Sequence, residues 1–558
     1  MEKDWNKEYK IWLEKAVGDH DLVAELSSMA DDDAKKEDAF YRNLAFGTGG
    51  LRGVIGAGTN RMNIYTVAKA SQGLADYLNK NYDKPSVVIG YDSRIKSDRF
   101  AQVAAEVFAA NNIEVNIWSE LLPVPTVSFA VRYLQASAGV MITASHNPSK
   151  YNGYKVYGSD GCQITTEAAA EILAKIEKVD IFDGVSRCSF DDGMKASKIK
   201  YIEAKVLDAF INEVKEQSVL KGEEVDRNVA IVYSPLNGTG LKPVTRALKE
   251  TGFGNITIVK EQEMPDGNFP TCPYPNPEIR EAMALGIEYA KKTNADLLLA
   301  TDPDCDRVGI AVKDENGDYV LLSGNQTGCL LLNFICERRL AQGTMPAEPV
   351  MVKTIVTTDL GQQIADSYGV KTINVLTGFK FIGEQIGFME KQGREKDYIF
   401  GFEESYGYLS GSYVRDKDAV DGAFLICEMF AYYKSKGISL LDKLNELYSK
   451  YGYCLNTLHS YEFEGAQGSE KMQAIMKEFR SLTGELCGLR IEKCLDYSEG
   501  IDGLPKSDVL KFYLEGKCSL VVRPSGTEPK LKIYISISAE SEDEAKRIES
   551  DICEGLPL

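Results

Sequence analysis

Residues 295–310 read ADLLLATDPDCDRVGI, and this stretch joins a short apolar run to a cluster of carboxylates. The run is bounded by polar residues and is rich in leucine, which is consistent with a buried strand. Asp302, Asp304 and Asp306 follow at alternate positions. Open α/β sheets build their sites in the polar loops that follow such strands, so this stretch favours an α/β fold with a site at the strand end.

The same order of apolar run and polar cluster recurs along the chain. Helical patterns such as TVAKASQGLADYLNKNY (66–82) separate the runs, and this alternation predicts α/β domains. The other examples are SVVIG before YDSR (86–94), GVMIT before ASH (139–146), VAIVY before SPLNGTG (229–240), YIFGF before EESYGY (398–408) and CSLVV before RPSGTEPK (518–530).

Length and polar stretches predict several domains. A chain of 558 residues is too long for one core and suggests roughly three to five domains. Turn-rich polar segments place the boundaries so that the domains span 1–200, 201–318, 319–447 and 448–558.

Composition restricts the function classes. A formal net charge of -19 disfavours nucleic-acid binding, and any anionic substrate would need basic residues gathered at its site. The 12 cysteines form no C-x-x-C pair, and no apolar stretch approaches the ~20 residues of a membrane span. These features predict a cytoplasmic protein without membrane or nucleic-acid partners.

The three aspartates of the opening stretch suggest a magnesium site. Like charges about 4 Å apart repel by about 4 kcal/mol at an effective dielectric constant of 20, so a bound cation would make the cluster favourable. Hard cations take oxygen ligands, which carboxylates supply. A calcium-binding EF-hand loop is excluded, because its sixth and twelfth positions would be Arg307 and Lys313 instead of Gly and Glu.

The stretch TASHNPSKYNGYK (143–155) carries a candidate nucleophile. Ser145 follows an apolar run, and a serine hydroxyl needs a base or a metal to become reactive. His146 and Lys155 are placed to move protons or to hold phosphate oxygens. Read alone, SHNPS is equally consistent with a polar turn whose side chains bond to the local backbone.

Other polar side chains suggest a phosphate and sugar site. In RPSGTEPK an arginine fork, two hydroxyls and a flexible glycine resemble a phosphate cradle, and Glu403 with Ser405 would suit sugar hydroxyls. Surface ion pairing is the alternative for each basic residue taken singly. The candidate substrate-binding residues are Arg52, Arg307, Lys380, Glu403, Ser405, Lys417, Arg523, Ser525, Gly526 and Thr527.

Together these motifs resemble the α-D-phosphohexomutases. TASHNP, DPDCDR, GFEES and RPSGTEP occur in the order of that family, and the resemblance covers nearly the whole chain. FGTGGLRG, PDGNFPTCPYPNPE and LLSGNQTG resemble its long-chain phosphoglucomutase branch, which includes phosphopentomutases. The resemblance implies three similar mixed α/β sheet domains and a smaller C-terminal α+β domain around a central cleft.

The resemblance also implies residue roles. Ser145 would be a phosphoserine that exchanges its phosphoryl group with a sugar phosphate, and Asp302, Asp304 and Asp306 would hold Mg²⁺ with a phosphoserine oxygen. His146 and Lys155 would act at the phosphoryl donor. Glucose 1-phosphate and glucose 6-phosphate would interconvert, with glucose 1,6-bisphosphate as intermediate and activator. Glu403 and Ser405 would read the sugar, and Arg523, Ser525 and Thr527 would bind the distal phosphate.

Several alternatives stay open at this stage. Mannose, ribose or deoxyribose phosphates would fit the same mechanism, and the sequence does not indicate an oligomeric state. In a haloacid-dehalogenase-type phosphotransferase Asp302 would be the nucleophile, and a sugar-phosphate sensor would bind without turnover. Two positions depart from the family pattern, because Asn237 and the stretch EESYGY lack an expected histidine.

Overall fold

The structure is a computed structural model that describes residues 4–557 except 48, 464, 502 and 525–529. The chain forms two compact units. Unit 1 comprises residues 1–322, 383–395 and 407–431, and unit 2 comprises residues 323–382, 396–406 and 432–558. Within the described ranges, no helix combines the length and apolar character that a membrane crossing requires.

Unit 1 begins with three short helices followed by a seven-stranded mixed sheet in the order β1-β2-β6-β5-β3-β4-β7. Strands β5, β3, β4 and β7 run parallel to their neighbours in that series, whereas β1, β2 and β6 pair antiparallel. The elements are α1 (Trp5–Lys15), α2 (His20–Ser28), α3 (Asp33–Phe40), β1 (Phe46–Gly47), β2 (Gly50–Val54), α4 (Ile64–Asn81), β3 (Ser86–Tyr91), α5 (Ser97–Ala110), β4 (Glu114–Ile117), α6 (Val124–Tyr133), β5 (Ala138–Ile142), β6 (Tyr151–Gly158), α7 (Thr166–Ile176), α8 (Phe190–Lys195) and β7 (Ile199–Tyr201).

The second sheet of unit 1 has five strands in the order β12-β11-β10-β8-β9. Its elements are α9 (Ala204–Glu216), β8 (Ile231–Ser234), α10 (Leu241–Glu250), β9 (Ile256–Ile258), α11 (Lys260–Glu263), α12 (Arg280–Thr293), β10 (Leu297–Thr301), β11 (Val308–Lys313) and β12 (Tyr319–Leu322). In both sheets a fully buried strand, β5 or β10, has a parallel neighbour on one side and leads through a polar loop into an antiparallel return strand. The predicted order of strand and motif is therefore present in both.

In unit 2, β13 lies between its parallel neighbours β14 and β15, and six antiparallel strands form a separate sheet in the order β17-β22-β21-β20-β19-β18. The predicted mixed α/β architecture is thus confirmed. The remaining elements of the chain are α13 (Gly324–Gln342), β13 (Val350–Thr354), α14 (Leu360–Ser367), β14 (Lys371–Val375), α15 (Phe379–Lys391), β15 (Tyr398–Glu403), β16 (Gly407–Leu409), α16 (Ala419–Ser435), α17 (Leu440–Tyr451), β17 (Tyr453–Glu462), α18 (Gly465–Ser481), β18 (Glu485–Leu486), β19 (Leu489–Asp496), β20 (Leu510–Leu514), β21 (Cys518–Pro524), β22 (Lys530–Ala539) and α19 (Glu542–Gly555), with single 3-10 turns at Glu395–Asp397, Tyr497–Glu499 and Glu515–Lys517.

A buried charge cluster joins the two sheets of unit 2. Asp359, at the start of α14, accepts from Lys353 Nζ at 2.8 Å and from Lys511 Nζ at 3.3 Å. Both lysine side chains are almost completely buried. Their two ammonium groups outweigh burial and hold the pKa of Asp359 well below its usual range. A hydrophobic cluster from the same two sheets and their loops accompanies these charges; it consists of Ile355, Val356, Leu376, Tyr497, Val509, Val521 and Tyr534.

We expect the substitution Asp359→Ala to lower the free energy of unfolding of unit 2 by about 3 kcal/mol, because it leaves two buried ammonium groups without their carboxylate. Urea denaturation followed by circular dichroism measures the change. Asp366→Ala, at an exposed position of the same helix, is the matched control and should shift stability by no more than ~0.5 kcal/mol. Equal shifts for both variants would contradict the role of the cluster.

Candidate active site

Ser145 lies in the loop after β5, and the fold holds it in an unusual conformation. Its φ of 53° is in the left-handed region, which a non-glycine residue adopts only where its surroundings fix it. Its backbone N–H donates to Thr143 Oγ1 at 2.9 Å. Its hydroxyl lies 3.0 Å from Asp302 Oδ2 and 3.2 Å from His146 Nδ1. The loop therefore directs the hydroxyl at the carboxylate cluster of the second sheet.

Arg94 fixes the position of this loop through hydrogen bonds to its backbone. Its guanidinium donates to the carbonyls of Ser145 and Asn147, and also to those of Pro148 and Tyr151 at 3.0 Å each. The side chain is buried and pairs with the buried Asp92 at 3.4 Å. An arginine can make these contacts together because it carries five N–H donors in a fixed plane. Arg94 is thus a positioning residue for the serine loop.

The carboxylates of Asp302, Asp304 and Asp306 converge in the loop after β10. All three residues are buried, and their oxygens lie within 4.8 Å of one another. Asp302 Oδ1 accepts from the backbone N–H groups of Asp306 at 3.1 Å and Arg307 at 3.0 Å. The turn is therefore wrapped around its first carboxylate, which leaves Asp302 Oδ2 facing the serine.

Basic side chains surround this cluster. Because the protein is acidic overall, an anionic substrate needs such basic residues at its binding site. Lys155 Nζ, from β6, lies 2.9 Å from Asp304 Oδ2 and 3.4 Å from Asp306 Oδ2. Lys417 Nζ lies 3.2 Å from Asp306 Oδ2. Arg307 pairs with Glu278 at 2.5 Å. Of the candidates predicted from the sequence, Lys155 and Lys417 thus contact the acidic cluster, and Arg307 lies between Glu278 and Asp306, all within unit 1.

The charges shift the pKa values of the carboxylates in opposite directions. Burial, followed by the charges of Asp304 and Asp306, raises the pKa of Asp302 well above its ordinary value. Burial would also raise that of Asp304, but Lys155 outweighs it and the pKa of Asp304 falls to about 2. Burial lowers the Lys155 pKa, yet Asp304 and Asp306 raise it more, so that Lys155 stays charged.

The donor set fits a hard divalent cation. Asp304 Oδ1 and Asp306 Oδ1 are buried without a hydrogen-bond partner among the described residues. Buried polar atoms are normally paired, so two such oxygens in one cluster of carboxylates mark a place where a cation supplies the missing interaction. Three carboxylates and no nitrogen or sulfur ligand match the preference of Mg²⁺. The cluster can therefore bind a metal ion.

His146 is the third group at the serine hydroxyl. Burial first, then the positive charges of Arg307 and Arg52, lower its pKa well below the ordinary value, so the imidazole is neutral near pH 7. A neutral ring has one nitrogen that accepts and one that donates. Arg52 lies on β2, opposite Gly153 of β6. The Gly153 carbonyl in turn accepts from the backbone N–H of Thr143 at 3.2 Å, so Arg52 lies on the strand next to the serine loop.

In unit 2, two of the predicted sugar and phosphate residues, Glu403 and Arg523, act on Tyr534. Glu403 ends β15, is buried, and accepts from the backbone N–H of Gly378 at 3.0 Å. Arg523, near the end of β21, hydrogen-bonds to Tyr534. Burial first, then the charge of Glu404, raise the pKa of Tyr534, and the charge of Glu403 adds to that rise. The two carboxylates and the arginine therefore all lie within electrostatic range of Tyr534.

The structure describes two of the other predicted residues of unit 2, Lys380 and Ser405. Lys380 begins α15 together with Phe379, and its ammonium lies 4.9 Å from the ring centre of Phe381. Ser405 lies in the half-buried turn directly after β15. Ser525, Gly526 and Thr527 lie outside the described residues.

The two departures from the family pattern have local explanations. Asn237 has a left-handed φ of 56°, and its side chain donates to the carbonyls of Glu261 at 3.2 Å and Met264 at 2.8 Å. Asn tolerates this conformation better than most residues. At Gly407 a Cβ atom would lie 2.2 Å from Lys417 Cδ. Any side chain at 407, including a histidine, would displace the lysine that pairs with Asp306.

Sequence reasoning missed several residues that hold the site. Thr143 Oγ1 donates to Asp304 Oδ2 at 3.1 Å and so links the serine loop to the acidic loop. Asp416 pairs with Lys417 at 3.2 Å and accepts from Tyr157 at 2.9 Å and Gln163 at 3.1 Å. Apart from the pair of neighbours Asp416 and Lys417, these contacts join residues more than 150 positions apart, and no local pattern marks them.

Comparison with known proteins identifies the family. Four models of it match in order: phosphoglucomutase/phosphomannomutase alpha/beta/alpha domain I over residues 43–181, domain II over 208–317, domain III over 323–451 and the C-terminal domain over 466–555. A phosphoglucomutase of Staphylococcus saprophyticus subsp. saprophyticus is 37% identical over 547 residues, which cover 96% of this chain and 97% of the relative.

Solved structures share the fold. The exocytosis-sensitive phosphoprotein pp63/parafusin of Paramecium, a phosphoglucomutase, aligns with a TM-score of 0.69 and 17% identity over 92% of this chain and 95% of that one. N-acetylphosphoglucosamine mutase of Aspergillus fumigatus, solved with GlcNAc-6P and magnesium, aligns with a TM-score of 0.50 and 15% identity over 92% and 96%. The resemblance noted in the sequence is confirmed, and the chain belongs to the phosphoglucomutase/phosphomannomutase family of α-D-phosphohexomutases.

Proposed function

We propose that this enzyme is a phosphoglucomutase that interconverts glucose 1-phosphate and glucose 6-phosphate through a phosphoserine at Ser145. Its relatives at about 37% identity over most of the chain are phosphoglucomutases. The observation that carries the proposal is the 3.0 Å contact between the Ser145 hydroxyl and a carboxylate of the acidic cluster. A phosphoryl group on that oxygen would lie beside the residues that bind a cation.

The proposed reaction has two phosphoryl transfers. In the first, the bond from phosphorus to Ser145 Oγ breaks as a sugar hydroxyl oxygen forms a new bond to phosphorus; the proton that the sugar hydroxyl loses ends on Ser145 Oγ, and the products are glucose 1,6-bisphosphate and a free serine hydroxyl. In the second, the other phosphate of the turned bisphosphate returns to Ser145. Such transfers are accelerated mainly by positioning and by stabilisation of charge.

The residues of unit 1 supply both effects. Arg94 fixes the position of the Ser145 loop, and Lys155 brings a positive charge to the oxygens of the transferred group. His146 Nδ1, 3.2 Å from Ser145 Oγ, takes the proton of that hydroxyl when it is phosphorylated again. A bound Mg²⁺, held by Asp302, Asp304, Asp306 and an oxygen of the phosphorylated Ser145, would neutralise charge on the transferring group.

The residues of unit 2 would recognise the rest of the substrate. Glu403 and Ser405, at the end of β15, would bind sugar hydroxyls, because carboxylate and hydroxyl oxygens accept their hydrogen bonds. Arg523 would hold the phosphate that is not being transferred, with Ser525, Gly526 and Thr527, and Lys380 would add positive charge. Arg52, Arg307 and Lys417 would add positive charge at the site in unit 1.

We also propose a cytoplasmic location for the protein, and domains that span residues 1–200, 201–318, 319–447 and 448–558.

The choice of sugar is tested by comparing kcat/KM for glucose 1-phosphate and ribose 1-phosphate, with Mg²⁺ and a trace of glucose 1,6-bisphosphate. We expect glucose 1-phosphate to be preferred by more than about tenfold, which is about 1.4 kcal/mol of transition-state discrimination. Mannose 1-phosphate, which differs in the orientation of one hydroxyl, is the closest control.

The other outcomes point to different conclusions. A preference for ribose 1-phosphate would make the enzyme a phosphopentomutase with the same mechanism. Turnover of mannose 1-phosphate at the glucose rate would show that Glu403 and Ser405 do not distinguish the two hexoses. Absence of turnover with all three sugars, together with binding, would contradict the proposal and favour a sugar-phosphate sensor.

A further inference from the structure

Three side chains of metal-binding type, none of which the proposed function uses, meet in unit 2. His459 lies on β17, and Glu549 and Cys553 lie on α19, which packs against that strand. The ligand atoms of the three side chains lie within 4.8 Å of one another. His459 Nε2 is 3.1 Å from Glu549 Oε1 and 3.6 Å from Cys553 Sγ. The three side chains are half-buried, so the cluster is accessible to a small ion.

Local structure explains why these groups share one place. Residues four apart on a helix lie on the same face, so Glu549 and Cys553 point together. Successive residues of a strand alternate between its faces, so His459 and Thr457 point to the same side of β17. The Thr457 hydroxyl lies 3.2 Å from the same nitrogen of His459. One strand face and one helix face thus bring three polar groups, a hydroxyl, a carboxylate and a thiol, to His459 Nε2.

A single hydrogen bond at His459 Nε2 accounts for only one of its three polar neighbours. In a neutral imidazole, Nε2 either donates one proton or accepts one. It therefore cannot bond to a carboxylate, a thiol and a hydroxyl at the same time. A cation would use Nε2, Oε1 and Sγ together, because each of these atoms then offers a lone pair to the same centre.

We propose that His459, Glu549 and Cys553 form a zinc-binding site. With the usual zinc bond lengths and tetrahedral angles, the nitrogen-to-oxygen and nitrogen-to-sulfur separations would be about 3.4 Å and about 3.6 Å. The observed separations are 3.1 Å and 3.6 Å. A thiolate and an imidazole favour zinc over the hard cations Mg²⁺ and Ca²⁺. Three protein ligands leave the fourth position for water, and the ion joins α19 to β17.

Cobalt(II) is the probe for the test, because its spectrum reports a bound thiolate. The full chain is titrated with Co²⁺ in an excess of Mg²⁺, which keeps the acidic cluster occupied. We expect a thiolate-to-cobalt charge-transfer band that saturates at one equivalent and is removed by added Zn²⁺. Co²⁺ at the acidic cluster would give no such band, since Asp302, Asp304 and Asp306 offer only oxygen.

Variants assign the band to this site. Cys553→Ser should abolish it, whereas Cys494→Ser, at an exposed cysteine of β19, is the matched control and should leave it unchanged. His459→Gln should weaken Co²⁺ binding by about 100-fold or more, because loss of an outer partner alone weakens metal sites 10- to 100-fold. Melting without metal checks that each variant is folded.

Two results would overturn the assignment. One is a wild-type protein that shows no thiolate band at saturating Co²⁺. The other is a band that persists in folded Cys553→Ser or keeps its full affinity in folded His459→Gln. Either would mean that His459 and Glu549 form only an ion pair beside a thiol.

Discussion

Ser145→Ala is expected to lower kcat by about 10⁵-fold or more. Removing the nucleophile of an enzyme that works through a covalent intermediate has effects of this size, because no other group provides the same route. The replacement loses the contacts to Asp302 and His146 but keeps the backbone position that Arg94 holds. We therefore expect a folded protein that binds sugar phosphates and does not convert them. Steady-state assays with glucose 1-phosphate measure the loss.

Labelling separates this prediction from its main rival. Glucose 1,6-bisphosphate with radioactive phosphate should label the wild-type protein and should not label Ser145→Ala. If Asp302 were the nucleophile, as in haloacid-dehalogenase-type enzymes, the variant would still be labelled and would remain active. Ser93→Ala is the matched control, because the Ser93 hydroxyl is buried without a hydrogen-bond partner in the described part of the chain. It should behave like the wild type.

Loss of the proposed metal site is expected to have the second largest effect. Asp304→Asn removes one of three carboxylates while it keeps the size of the side chain and the contact to Thr143. Neutralisation of charge on a transferring phosphoryl group by a metal is worth several kcal/mol. About 5 kcal/mol corresponds to 10³- to 10⁴-fold in rate, and we expect kcat to fall by that factor.

Chelation gives an independent measure of the same site. An excess of chelator should reduce the wild-type rate by a similar factor, and added Mg²⁺ should restore it fully. Asp318→Asn is the control, since Asp318 is an exposed carboxylate in the turn directly before β12 and pairs with Lys291 at the surface. If the enzyme kept more than a tenth of its activity in excess chelator, the metal requirement would be contradicted. The same holds if Asp304→Asn kept more than a tenth of the wild-type activity.

The elements and the acidic cluster were predictable because their signals are local. The runs before Ser145 and Asp302 are short and apolar, and the polar residues follow them directly, so strand and site appear together in the sequence. The two loops meet within unit 1, where Ser145 Oγ lies 3.0 Å from Asp302 Oδ2 and Thr143 Oγ1 lies 3.1 Å from Asp304 Oδ2. The alternation of Asp302, Asp304 and Asp306 alone indicated a cation.

The supporting residues were not predictable because their partners are distant in the chain. Arg94 looks like one more basic residue after a strand, yet it is buried and bonds to carbonyls more than 50 positions away. Asp359 and Lys511 are 152 residues apart. Neither position has a neighbour in sequence that reveals its partner. Long-range packing decides these roles, and a single sequence does not contain that information in readable form.

The charge cluster around Asp359 also limits which segments of the chain can be replaced by those of a related mutase. Lys511 comes from β20 and Lys353 from β13, so the C-terminal sheet completes the environment of a strand outside it. A chimera that took residues 453–558 from another mutase would bring a foreign partner to Asp359 and a foreign surface to Ile355 and Val356. The C-terminal sheet is therefore not a portable module, and a functional graft would have to carry residues 323–382 with it.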